Sequence, residues 1–250
     1  MKFLFGRSFL QVLFRKMYHY SLKGMNYNLV GSGEKNVLKK VLAGTEDTEV
    51  VIIDAGANVG QFANMALSLI SEKGRVYSFE PAADTFQKLE ANIKDSRVIK
   101  VNKGLGDEEK QIVLYSSQPG STIASVFQRN ISGELQTDHE TIQITTLDLF
   151  ADKLNLEYIH FLKVDVEGAD LDVLKGAKRL LKNRKIKFIQ FEFGGTQIAP
   201  RVFLRDFYEL LEKDYSLYRV LSDGLQNIEQ YSEHYEIFSY ANYLAILKDR

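Results

Sequence analysis

The chain has 250 residues, 45% of them hydrophobic and 26% charged, with a formal net charge of −1, three prolines and no cysteine. That composition excludes collagen-like, disordered and membrane-spanning classes, and the near-zero charge argues against a dedicated nucleic-acid binder. The lack of cysteine excludes disulfides, thiolate nucleophiles and cysteine-ligated zinc, and it fits a reducing, cytoplasmic setting.

Charge is unevenly placed. Residues 1–33 hold Lys2, Arg7, Arg15, Lys16 and Lys23 and no acid, which leaves the remainder at −6. Residues 1–34 therefore read as a basic, aromatic-rich helical arm, and 35–250 as a single domain. Arg7 interrupts the apolar run at 3–14, no small-residue cleavage site follows, and the run is too short to span a bilayer. Two readings stay open: peripheral contact with an anionic membrane, or a helix packed on the core with its charges in water.

From residue 50 short β-rich runs alternate with helical stretches, the pattern of parallel strands joined by crossover helices. Residues 50–54 form an apolar run that ends at Asp54, as a buried central strand would. After Gly56 and Gly60, the residues Phe62, Met65, Ala66, Leu69 and Ile70 repeat at helical spacing. A second strand is predicted at 75–79, ending at Glu80-Pro81, then a helix at 82–93 and a third strand at 98–101. The runs at 112–115, 122–127 and 142–145 read as strands with no helix between them, so an inserted β-hairpin or edge extension is expected. A fourth strand at 158–164 is followed by a helix at 171–181 and a fifth strand at 186–191. A helix at 202–211 and closing strands at 216–221 and 240–247 complete a seven-stranded, mostly parallel sheet.

The turn Asp54-Ala55-Gly56-Ala57-Asn58-Val59-Gly60-Gln61 joins a strand to a helix. Glycine there lets the backbone turn sharply and approach a ligand at the carboxyl end of the strand. Glu80 ends the second strand 26 positions after Asp54, close to the spacing of a ribose-binding acid, and a carboxylate accepts both hydroxyls of a cis diol. The turn lacks the three glycines of a dinucleotide fingerprint and begins with an acid, which disfavours a diphosphate and favours an ammonium and a sulfonium.

Together with Phe79-Glu80-Pro81, Leu105-Gly106-Asp107 and Phe161-Leu162-Lys163-Val164-Asp165-Val166-Glu167-Gly168-Ala169, the turn resembles the FkbM-type methyltransferase family. Asp172-Val173-Leu174-Lys175-Gly176-Ala177 continues the last block, and the resemblance runs from about Gly24 to Glu192. It implies a Rossmann-like class I methyltransferase fold and S-adenosyl-L-methionine-dependent methylation of a hydroxyl on a sugar, glycan or secondary metabolite. It also implies that Asp54, Gly56, Ala57, Asn58, Gly60 and Gln61 hold the amino-acid part of the cofactor. Glu80 and Pro81 would meet the ribose, and Leu105 and Asp107 the adenine. Ser32-Gly33-Glu34 is similar to a family segment that folds over the cofactor, and reads equally well as a helix N-cap at Ser32.

Methyl transfer to an alcohol requires an oxygen held in line with the methyl group and a route for its proton. Asp165 and Glu167 stand two apart at the end of the fourth strand, so both can face one pocket, and Glu192 ends the fifth strand. These three are the candidate catalytic residues, as a general base with orienting partners. A shared magnesium ion is the less favoured alternative, because Phe193, not a second acid, follows Glu192. A helix-capping role for Glu167 and an ion pair for Lys163 stay open. His160 reads as structural, and His139 as a weaker base candidate than Asp165. An NAD(P)-linked oxidoreductase and a non-catalytic adenosyl-binding protein share the turn and the acid. No Tyr-x-x-x-Lys pair supports the first, and the intact Asp165 and Glu167 count against the second.

Overall fold

The computed structural model describes residues 8–21, 33–43, 49–117, 124–131 and 134–249. Lys2, Arg7, Lys23 and Ser32 of the arm, and 118–123 of the insertion, lie outside the described residues.

Strand β1 (Val51–Ala55) is buried along its whole length. Val51, Ile53 and Ala55 enter one apolar layer while Ile52 enters another with Val50. Burial on both faces is why its sequence is a continuous apolar run rather than an alternation. Strands β2 (Arg75–Phe79), β3 (Val98–Val101), β4 (Ile159–Val164), β5 (Ile186–Phe193), β6 (Tyr215–Leu221), β7 (Gly224–Ile228) and β8 (Ala241–Leu247) complete an eight-stranded sheet in the order β7-β6-β8-β5-β4-β1-β2-β3. Strands β1 to β5 pair in parallel, and β8 runs antiparallel between β5 and β6. The Rossmann-like α/β class is as expected, but the sheet has eight strands rather than seven. The extra strand, β7, is the hairpin partner of β6. Only Ile228 of its five residues is buried, so it shows no apolar pattern in the sequence.

Helices α2 (Glu34–Val41), α3 (Gln61–Leu67) and α4 (Ala83–Asn92) cover one face through Leu38, Phe62 and Leu89. Helices α5 (Leu147–Leu154), α6 (Asp170–Lys175), α7 (Lys178–Lys182) and α8 (Leu204–Leu211) cover the other through Leu147, Leu174, Leu180 and Phe207. The single helix predicted at 171–181 is therefore two. They part at Gly176, where an added Cβ would lie 1.9 Å from the Gly106 carbonyl oxygen. Helix α5 is not predicted, although Thr146 caps it by accepting from the Leu149 N–H at 3.2 Å and Asn155 ends it at φ 52°. Both are readable end signals.

The insertion forms a separate three-stranded sheet from Gly104–Leu105, Lys110–Ser116 and Asp138–Thr145, the last two being the expected hairpin. The described part of the run predicted as a strand at 122–127 makes a single bridge, Ser125 to Tyr115, and is otherwise irregular. An N-terminal helix, α1 (Ser8–Ser21), is present as expected. Among the described residues no helix is long and apolar enough to cross a membrane.

Candidate functional site

A cavity of about 700 Å³ opens where β1, β2 and β4 end. Of the residues expected to hold a cofactor, Gly56, Ala57, Asn58, Gln61, Glu80, Pro81, Leu105 and Asp107 line it. Asp54 and Gly60 do not, and each has a different task. Asp54 is wholly buried below the turn, beside Lys163 in the strand register, and accepts from the Ser78 hydroxyl at 3.5 Å. Burial raises its carboxyl to about 6 against the pull of the Lys163 ammonium. At Gly60, φ is 93° and a Cβ would press into Leu89 and Ile93 at 2.8 Å, so this glycine serves the packing of α3 on α4. Gly56 has φ 85°, and a Cβ there would stand 1.8 Å from the Asp165 carbonyl oxygen. The turn thus lies directly against the end of β4, which only glycine permits.

Glu80 is 8% exposed and accepts from the Asn58 and Ala82 N–H groups, both at 3.0 Å. Burial raises its pKa to about 7, with those two donors opposing the rise. Each oxygen keeps a lone pair for a further donor. Asn58, at φ 49°, holds a left-handed conformation at the cavity wall. Glu167, at φ 55°, does the same across from it, and such conformations in non-glycine residues concentrate where structure serves a ligand.

On the far wall, Asp165 and Glu167 line the cavity with Lys163. The buried Lys163 ammonium donates to Asp165 at 2.8 Å. Burial disfavours the Asp165 charge, but that ammonium outweighs it and holds the carboxyl below its ordinary range. Glu192 stands behind, outside the cavity lining, and hydrogen-bonds Asp165. Burial, then repulsion from Asp165, Asp170 and Glu167, lifts Glu192 well above its ordinary range. Glu167 pairs with Arg129 from the insertion at 3.0 Å. Burial and the Asp165 charge raise Glu167 to about 7, with Arg129 pulling down. Glu167 does not cap a helix, and α6 has no side-chain cap at Ala169; Asp170 holds the loop before it, accepting from the Gly168 and Val166 N–H groups at 3.1 and 3.4 Å.

Two contributors carry no signal in the sequence, and two others take a role the sequence only outlines. Arg129 sits in an irregular segment with no pattern to mark it, and the Ser125 hydroxyl beside it donates to the Glu167 carbonyl at 2.7 Å. Glu34, 4% exposed, accepts from the Gln190 amide at 2.6 Å, which ties the start of α2 to β5. The ion pair expected of Lys163 is present, to Asp165, and it is the charge that keeps Asp165 low. The histidines fall as expected: His160 accepts from the Val51 N–H at 3.1 Å in the strand layer, and His139 is exposed and outside the cavity. The cavity wall contains two lysines, Lys110 and Lys163, and both are paired with carboxylates. Among the described residues no group of three His, Asp or Glu side chains is arranged to hold a metal ion.

The family described as the methyltransferase FkbM domain matches residues 54–243, a span that includes every strand of the main sheet but the start of β1 and the end of β8. The chain belongs to the FkbM methyltransferase family. Among curated relatives, Methyltransferase 1 of Beauveria bassiana is 31% identical over 143 residues, covering 50% of this chain and 57% of that protein. The hexuronic acid methyltransferase AglP of Haloferax volcanii is 30% identical over 164 residues, covering 65% and 64%. The chain thus spans less than two thirds of the length of these relatives. A crystal structure from Klebsiella pneumoniae described as an O-methyltransferase superposes with a TM-score of 0.50 at 12% identity, covering 99% of this FkbM chain and 94% of that one. At that identity the likeness concerns the fold.

Proposed function

We propose that this chain is an S-adenosyl-L-methionine-dependent O-methyltransferase acting on a hydroxyl of a sugar, glycan or secondary metabolite. The observation that carries the reading is one cavity with the glycine turn and Glu80 on one wall and Asp165 and Glu167 on the other. The donor set fits the cofactor. Glu80 offers a buried carboxylate to a diol, the turn offers backbone to an amino-acid group, and both wall lysines are already paired, which leaves little for a diphosphate. The likeness to a hexuronic acid methyltransferase supports a sugar acceptor.

The turn residues Gly56, Ala57, Asn58 and Gln61 would hold the amino-acid part, Glu80 and Pro81 the ribose, and Leu105 and Asp107 the adenine. When bound, the cofactor supplies an electrophilic methyl group on a sulfonium. Asp165, kept ionised by Lys163, accepts the hydrogen bond of the incoming hydroxyl and orients it. Glu167, with a pKa of about 7, takes the proton, since a base poised near working pH is the effective one. Glu192 donates to Asp165 and fixes its carboxylate. Because Lys163 and Arg129 occupy Asp165 and Glu167, the chemistry is metal-free, and turnover on a competent sugar should be indifferent to EDTA.

Calorimetry tests the cofactor directly. Heat of binding from S-adenosylhomocysteine, and none from NAD⁺ or NADP⁺, is expected; the opposite preference would overturn the reading in favour of an oxidoreductase.

A further inference from the structure

Twelve large apolar side chains are strongly exposed among the described residues, and six of them, Phe9, Val12, Leu13, Phe14, Met17 and Tyr18, fall within ten residues of α1 at 42–61% exposure. The other six are spread one or two to an element over the rest of the molecule. Single exposed apolar residues need no explanation, but a contiguous apolar face marks an interaction site. Phe9, Val12, Leu13 and Met17 recur at three- and four-residue spacing and so share one side of the helix, while Gln11, Phe14, Arg15 and Tyr18 fall on the opposite side. Lys16 lies within the apolar side, between Val12 and Phe9, where its long stem can run along the apolar surface and carry the ammonium out to a polar layer. The helix has no acid, and the surrounding residues 1–33 carry five cations and none.

We infer that α1 is a membrane-surface helix that seats its apolar side in the headgroup layer of an anionic lipid bilayer. The charge decides between partners. A segment of +5 on a body of −6 is drawn to an anionic surface, and residues 1–33 join that charge to the exposed apolar side of α1. A second copy of the chain could meet this side only with its own α1, which would bring two segments of +5 together. At fourteen residues the helix lies on a membrane rather than through it.

The test uses the full chain and sedimentation with vesicles of phosphatidylcholine alone or mixed with phosphatidylglycerol. Binding is expected only to the mixed vesicles, and added salt should release the protein. A Leu13→Glu, Met17→Glu variant and an Arg15→Ser, Lys16→Ser variant change only exposed positions. Each should lower partitioning about ten-fold or more, with unchanged thermal melts. Three results would overturn the proposal: no co-sedimentation of the wild-type chain with anionic vesicles, equal partitioning of wild type and both variants, or a lipid-free dimer that the Leu13→Glu, Met17→Glu variant dissociates. None of these readouts depends on methyl transfer, so the proposal stands or falls apart from the enzymatic reading.

Discussion

The two walls of the cavity are built by different physics. The wall formed by the turn and Glu80 is local: a strand end, five residues of loop and one acid whose oxygens are held by neighbouring backbone N–H groups at 3.0 Å. The opposite wall is assembled from distant segments. Lys163 and Asp165 come from β4 and the residue after it, Glu192 from β5, and Arg129 from the insertion, and their charges set one another's protonation. A backbone-built wall is suited to holding a constant ligand; a charge-coupled wall is suited to moving a proton. The first should answer mutation in affinity, the second in rate.

The largest effect is expected at Asp165. Asp165→Asn keeps the shape, removes the charge that Lys163 sustains and with it the acceptor that orients the hydroxyl, and should lower turnover by about 10²-fold or more while S-adenosylhomocysteine affinity holds. Normal turnover in this variant would end the assignment. Next, Glu80→Ala should weaken S-adenosylhomocysteine binding by about 1.5–3 kcal/mol, the range for hydrogen bonds to a charged group. Unchanged affinity by calorimetry would show that the two walls do not divide the work.

A smaller effect concerns pH. The Glu167 pKa of about 7 in the fold lies above its ordinary 4.5, so the folded chain favours the protonated form. The stability this group contributes is complete below the ordinary value and is lost as pH rises through about 7. Because Glu167 keeps 23% of its side chain exposed, the loss is about 1–2 kcal/mol. Urea unfolding across pH 4.5–7 should show that decline in the wild-type chain and a flatter profile in Glu167→Gln; parallel profiles would place the proton elsewhere. Smallest, Arg129→Met removes the cation that draws Glu167 down, so the rising limb of the rate–pH profile should move up by about one unit. Arg129 touches Glu167 and acts through it, so a fall in rate with no shift of the limb would reduce it to a packing role.

This contrast also explains what the sequence disclosed. The local wall was legible because a strand end, a turn and an acid at fixed spacing lie in one stretch, and only Asp54 and Gly60 were assigned to the ligand when they serve burial and helix packing. Asp165 and Glu167, which line the cavity, stand in one block of sequence, and Glu192, which ends a strand, lies behind them. Arg129 and the Glu34–Gln190 contact were not, since 38 and 156 positions separate the partners and no periodicity links them. The parallel core was read from apolar runs. β7 was lost because its residues face water, and the helix at 171–181 was drawn unbroken because the obstacle at Gly176 is another segment's carbonyl.

Strand β8 is the last of the eight in the chain, yet it sits between β5 and β6 rather than at an edge. A growing chain therefore presents two unpaired flanks, β5 and β6, until residues 241–247 leave the ribosome and close the gap. Unpaired strand flanks invite wrong pairing with other chains. Loss of that one segment would cost the sheet its continuity, separating the β6–β7 hairpin from the parallel core.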